Sequence, residues 1–133
     1  MIDTNVIFSA AYNIHSNAGK LILSGIEGKI QLIAPEIAKK ELQDALQKKL
    51  GFSIDECNEF IKSLPIEWVP ESVYAPLLDR ASQFIKGVDS HFVALAMLVD
   101  GILITGDREI LDIKSREVKI SKLAEFIKRI VKN

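Results

Sequence analysis

Cysteine is almost absent from this chain. Of its 133 residues only Cys57 is one, so an intrachain disulfide is excluded. With no apolar leader of signal-peptide length at its start, the chain is expected in a reducing, cytoplasmic setting. Histidine is nearly as scarce: His15 and His91 are the two in the chain, and neither they nor Cys57 fall at the spacings that zinc sites use. Long apolar runs are missing too. Stretches such as 92–99 and 102–104 are far shorter than the roughly 20 residues a bilayer span needs, so no membrane helix is expected. There is no G-x-x-x-x-G-K-[ST] phosphate loop, no G-x-G-x-x-G after a strand and no G-x-S-x-G elbow, which removes the common nucleotide-binding and serine-hydrolase readings.

What is present is the composition of an ordinary single domain, 48% hydrophobic and 26% charged, expected to span 1–133 without a linker or repeat. A chain of this length buries roughly two-thirds of its unfolded surface, enough for a core without structural metal. The net charge of −1 conceals an uneven division. Residues 114–133 carry seven basic side chains against Glu117 and Glu125, leaving the rest of the chain acidic. Such a run is usually the solvated face of a last helix; it can also supply phosphate contacts.

Apolar periodicity, caps and breakers predict short strands alternating with helices. Strands are expected at 1–3, 30–33, 66–69, 102–105 and 118–120. Helical spacing covers 4–14 and 18–27, the latter ended by Gly28. Pro35 is expected in the first turn of a helix whose buried stripe is Ile37, Leu42, Ala45 and Leu46 and which Gly51 stops. Ser53 and Glu56 make the S-x-x-E pattern that opens a helix carrying Phe60, Ile61 and Leu64. A further helix is expected over 73–85, and Gly87 closes it. Asp89 or Ser90 should cap a helix apolar all round from Phe92 to Leu98, stopped by Gly101. Gly106-Asp107 then turns into a short helix, and Ser121 caps a final one. Strands joined by helical crossovers imply an α/β fold with a mainly parallel sheet covered on both faces, α/β/α in three layers.

In open parallel sheets, ligands bind beyond the carboxyl ends of the strands. Asp3 follows the first strand's apolar residue, Asp89 opens the buried helix and Asp107 follows the fourth strand. Glu41 lies about one turn into the helix after the second strand. Singly, each acid has a simpler role: a cap for Asp3 or Asp89, a turn for Asp107, a solvated helix position for Glu41. Together at one edge they would repel one another unless protonated or bound to a cation. An all-oxygen set favours a hard ion, Mg²⁺ or Mn²⁺. His91, two residues after Asp89, is the one titratable group left over, either a satisfied histidine or a proton shuttle.

The segment Ile2-Asp3-Thr4-Asn5-Val6-Ile7-Phe8-Ser9-Ala10 resembles the opening of PIN-domain ribonucleases. Residues 35–42 are similar to that family's helix with a glutamate before leucine. Asp89-Ser90-His91-Phe92-Val93-Ala94-Leu95-Ala96 resembles its aspartate before an apolar helix, and Leu103-Ile104-Thr105-Gly106-Asp107 its (L/I)-x-T-x-D segment. The resemblance implies a PIN-like nuclease domain with a five-stranded sheet ordered 3-2-1-4-5. It implies metal-ligand and catalytic roles for Asp3, Glu41, Asp89 and Asp107, with Thr4, Asn5 and Thr105 as supporting hydrogen-bonding groups and Glu109 as an extra acid. Gly87 and Val88 stand where relatives often carry a further aspartate, which leaves the number of metals open.

The activity implied is divalent-metal-dependent hydrolysis of RNA phosphodiesters by water, leaving 5′-phosphate and 3′-hydroxyl ends. Lys39, Lys40, Arg108 and the basic tail are candidates for backbone contacts to single-stranded RNA. Many small stand-alone members are toxins held inactive by an antitoxin protein, often as homodimers, while other relatives act in RNA maturation or decay; the sequence does not choose between these roles. Two rivals remain: a non-catalytic scaffold binding RNA or protein, and a phosphate-accepting receiver domain. The latter is disfavoured because the third strand ends in Val69-Pro70-Glu71, with no aspartate to phosphorylate.

Overall fold

The computed structural model describes residue 2 and residues 4–131, without the side chains of Thr4, Asn5 and Val131. Its elements are α1 (Thr4–Tyr12), α2 (Asn17–Ile26), β1 (Leu32–Pro35), α3 (Ala38–Leu50), α4 (Ile54–Ser63), β2 (Ile66–Val69), α5 (Glu71–Tyr74), a 3₁₀ turn (Ala75–Leu77), α6 (Leu78–Ala81), α7 (Val88–Val99), β3 (Ile102–Ile104), α8 (Arg108–Leu111), β4 (Lys119–Ser121) and α9 (Leu123–Val131).

Both sheets are parallel and two-stranded, β1 with β2 and β3 with β4, with Leu32 opposite Ile66 and Ile104 opposite Ser121. Ile2 links them. Its amide donates to the Ile33 carbonyl at 3.3 Å, and it forms a parallel bridge with Ile104. The expected first strand over 1–3 is therefore, among the described residues, a single bridging residue; Met1 and Asp3 lie outside them. The chain is an α/β protein with two short sheets rather than one continuous ladder.

Helices flank the strands in two groups. In one, α3 packs on β1, α1 and α4, and α1 also meets α2; in the other, α7 packs on β1 and β3 and against α5 and α6. The seam between strands and helices is filled by Ile2, Ile7, Leu21, Leu42, Leu46, Phe92, Leu95 and Leu103, all at most 1% exposed. Each such side chain contributes about 1.5–3 kcal/mol relative to exposure, which is why the apolar α7 settles here. In α2, Gly19 is required by close approach: a Cβ there would lie 1.8 Å from the Ile14 carbonyl oxygen.

Several local expectations are corrected. Pro35 is the last residue of β1, not the first turn of a helix; its missing N–H costs nothing towards β2, because the Glu36 amide supplies the bond to Val69 O at 2.8 Å. Ile37 is exposed at the helix start instead of joining the buried stripe. The helix expected over 73–85 is broken into α5, a 3₁₀ turn and α6, with Pro76 in the turn, where its ring and missing donor interrupt the α ladder. The residue before α7 is Gly87, at φ 73° and ψ −152°, so neither Asp89 nor Ser90 is its N-cap; the Ser90 hydroxyl donates to Gly87 O at 2.6 Å. That helix ends at Val99, on a left-handed Asp100, one residue before Gly101. Ser121 closes β4 instead of capping α9, and its hydroxyl donates to Lys122 O at 3.0 Å. The Ser53–Glu56 capping box and the left-handed Gly51 stop stand as expected.

Candidate active site

The site is built outward from Ile2 and β3. Because Ile2 pairs in parallel with Ile104, both segments run off the same edge of the sheet. Thr105, fully buried, extends β3 by one more bond, its amide donating to Ser121 O at 3.1 Å. Its Oγ1 accepts the Asp107 amide at 3.0 Å. Asp107 then caps α8, its Oδ1 accepting the Glu109 amide at 2.8 Å. Asp107 is thus half-buried and held by hydrogen bonds on both sides, with one carboxylate oxygen engaged in the cap. Glu109 and Arg108 are exposed. Shallow clefts lie on either side of Gly106: one of about 310 Å³ with Ser9, Thr105 and Lys122, another of about 450 Å³ with Arg108, Asp112 and Lys122.

Asp89 is half-buried in the first turn of α7, where a helix N-terminus favours a negative charge. Glu41 is exposed in the first turn of α3, next to fully buried Leu42. Lys40 is exposed, and the Lys39 ammonium sits 5.5 Å from the Trp68 ring centroid. Asp3 lies outside the described residues, as do the side chains of Thr4 and Asn5. Among the described residues no three His, Cys, Asp or Glu side chains converge as a metal group would require. In donor chemistry the candidate acids fit a hard divalent cation, since each offers only oxygen.

The structure adds a cluster that periodicity did not reveal. The Tyr74 hydroxyl and His91 Nδ1 are hydrogen-bonded at 2.7 Å, their rings meet edge-on at 5.5 Å, and Glu71 Oε1 stands 3.5 Å from the same nitrogen. Tyr74 is fully buried; burial first, and then the charges of Glu71 and Glu36, push its phenol up to about 12. His91 is thus partnered, as the simpler reading of it had it. The available signal was the dipeptide Pro-Glu at two successive strand ends, Pro35-Glu36 where β1 stops and Pro70-Glu71 just after β2.

A PIN domain family model matches residues 1–125. The chain belongs to the PIN-domain family. Set against curated proteins and against solved structures, it has no match. PIN domains are generally nucleases, typically dependent on divalent metal and acting on RNA, so the coarse reading of this PIN protein is a nuclease. Membership replaces the receiver-domain alternative. No helix among the described residues is long and apolar enough to cross a membrane.

Proposed function

We propose that this PIN protein is a divalent-metal-dependent endoribonuclease whose reaction centre lies at the edge where Ile2 and β3 end. The observation that carries the reading is the parallel Ile2–Ile104 bridge: the acid that follows Ile2 in the chain is Asp3, and the acid that follows β3 is Asp107. In this reading β2, β1, the Ile2 segment, β3 and β4 correspond to the family's 3-2-1-4-5 order. Asp3, Asp89 and Asp107 would hold Mg²⁺ or Mn²⁺, with Glu41 for a second ion or the attacking water. Such an ion supplies a lowered water pKa and offsets charge on the attacked phosphate.

The chain's own residues do the positioning. Thr105 orients Asp107 through its amide, and Glu109 ties down one Asp107 oxygen. The other oxygen is left to the reaction centre. Thr4 and Asn5 are assigned supporting hydrogen bonds beside Asp3. Lys39, Lys40 and Arg108 are assigned the phosphates of a single-stranded substrate, whose charge they attract without reading sequence. Attack by water leaves 5′-phosphate and 3′-hydroxyl ends. For the cellular role the family offers two settings for such an activity, a toxin paired with an antitoxin protein or a factor in RNA maturation or decay.

Labelled single-stranded RNA incubated with Mn²⁺ and either wild type or Asp107→Asn tests this. Cleavage by the wild type that falls at least a hundredfold in the variant supports the reading. Equal cleavage by both overturns it. RNA bound by both but cut by neither would instead favour the non-catalytic scaffold.

A further inference from the structure

Trp68 is the single tryptophan of the chain and lies near the carboxyl end of β2. Alternation along the strand puts it on the same face as Ile66, towards α3 and α4, where it is half-buried in a cleft of about 460 Å³. The walls of that cleft are two helical pairs. Lys39 and Gln43 stand one turn apart on α3, and Asn58 and Lys62 one turn apart on α4. The three-residue connection 51–53 makes the helices antiparallel neighbours, and the Cys57 thiol donates to Gln43 O at 3.8 Å, which sets the two amides level. Lys39 stands beside Trp68, towards the carboxyl end of β2, and Lys62 lies in the last turn of α4, just ahead of the strand, so the two cations flank the indole along the cleft.

The lining includes two ammonium groups, two carboxamides and an indole, and no carboxylate, on a chain whose net charge is −1. Among the described residues neither Lys39 nor Lys62 is in an ion pair; the Lys39 ammonium lies instead 5.5 Å from the indole centroid. A flat ring for stacking, amides for base edges and cations for phosphates are the chemistry that binds unpaired nucleic acid. An acidic peptide would use the lysines and leave the ring and amides without a purpose. The cleft is beside the candidate centre and not part of it: Lys39 and Glu41 both lie in the first turn of α3 but point to different sides of it, and Trp68 sits towards the carboxyl end of its strand.

We propose that this cleft is a subsite for one unpaired nucleobase and its flanking phosphates. The base stacks on Trp68 as Lys39 swings from the ring to a phosphate; Lys62 takes a second phosphate, and Gln43 and Asn58 meet the base edge. The inference rests on the ribonuclease reading for its substrate class. It extends that reading to a place outside the acidic centre, where a strand is gripped rather than cut.

Because there is one tryptophan, its fluorescence reports on this cleft alone. The whole protein in EDTA is titrated with an oligouridylate about ten nucleotides long, within the span such sites hold. Saturable quenching is expected. Trp68→Ala should weaken binding of the labelled oligonucleotide about 5- to 100-fold. Lys62→Glu, at an exposed position with no ion pair among the described residues, should weaken it as well and reduce the salt slope by about 0.7 or more. Absence of quenching, equal quenching by a polyglutamate peptide, or unchanged binding by Lys62→Glu would overturn the proposal, whatever Trp68→Ala does to folding. Cleavage with Mn²⁺ is measured in parallel. Cleavage without quenching removes the subsite and leaves the nuclease; quenching without cleavage does the reverse.

Discussion

The Asp107 amide donates to the Oγ1 of Thr105 at 3.0 Å, so a fully buried hydroxyl sets the course of the chain at the candidate centre. Thr105→Val keeps the shape and removes the acceptor. A net loss of about 1 kcal/mol is expected from the missing bond, with a further penalty if the Asp107 amide stays unsatisfied. Urea denaturation should therefore record a modest loss, while RNA cleavage falls about tenfold or more, since a misplacement near 1 Å can cost two orders of magnitude. Thr105→Ser, which restores the hydroxyl, should recover most of the activity. Parallel falls in stability and cleavage in both variants would reduce Thr105 to a packing residue.

Gly87 precedes α7 at φ 73° and ψ −152°, a conformation open almost only to glycine. A Cβ there meets nothing within 4 Å, so Gly87→Ala isolates backbone strain from crowding. A loss of about 1–3 kcal/mol is expected, and because Asp89 follows two residues later the same variant should bind Mn²⁺ more weakly. Denaturation and a calorimetric metal titration on one preparation check both effects.

Tyr74 gives a pH dependence with a definite sign. Its folded-state phenol, at about 12, lies above its ordinary value near 10, so the neutral form is favoured by folding. The associated stability is complete below about pH 10 and is lost as pH rises towards 12. Denaturation midpoints across that window should fall, and Tyr74→Phe should flatten the fall while lowering stability at neutral pH through the lost His91 bond.

Divalent ions should raise the melting temperature. Binding to the folded state alone adds RT ln(1 + [L]/Kd), about 2.7 kcal/mol at a hundred times Kd. Scanning calorimetry with Mn²⁺, then with excess EDTA, should show a reversible shift that Asp89→Asn reduces sharply. An undiminished shift in that variant would place the ion elsewhere.

Much of this was legible in the sequence because local chemistry and tertiary structure agree. The Ser53–Glu56 box, the Gly51 stop, the all-apolar α7 and the Thr105-Gly106-Asp107 turn each follow from rules acting within a few residues, and the family motifs align four acids in order. The failures occur where distant partners decide. Pro35 signals a helix start, yet β2 draws it into a strand because the bond there comes from the Glu36 amide. Asp89 looked like a cap until Gly87 took the preceding position with a backbone no other residue adopts readily. Tyr74 has little local mark of importance: Glu71 opens the same short helix, but His91 and Glu36, which complete its surroundings, come from other segments.

The Ile2 backbone also has a consequence for how the molecule comes apart. Among the described residues it alone bridges the β1–β2 ladder to the β3–β4 ladder, through one amide bond of 3.3 Å and one pairing. Deuterium uptake at that single N–H therefore reads out whether the two halves breathe together. Slow exchange, matching global unfolding, would mean one cooperative unit, whereas fast exchange with both ladders still protected would reveal a hinge running through the proposed reaction centre.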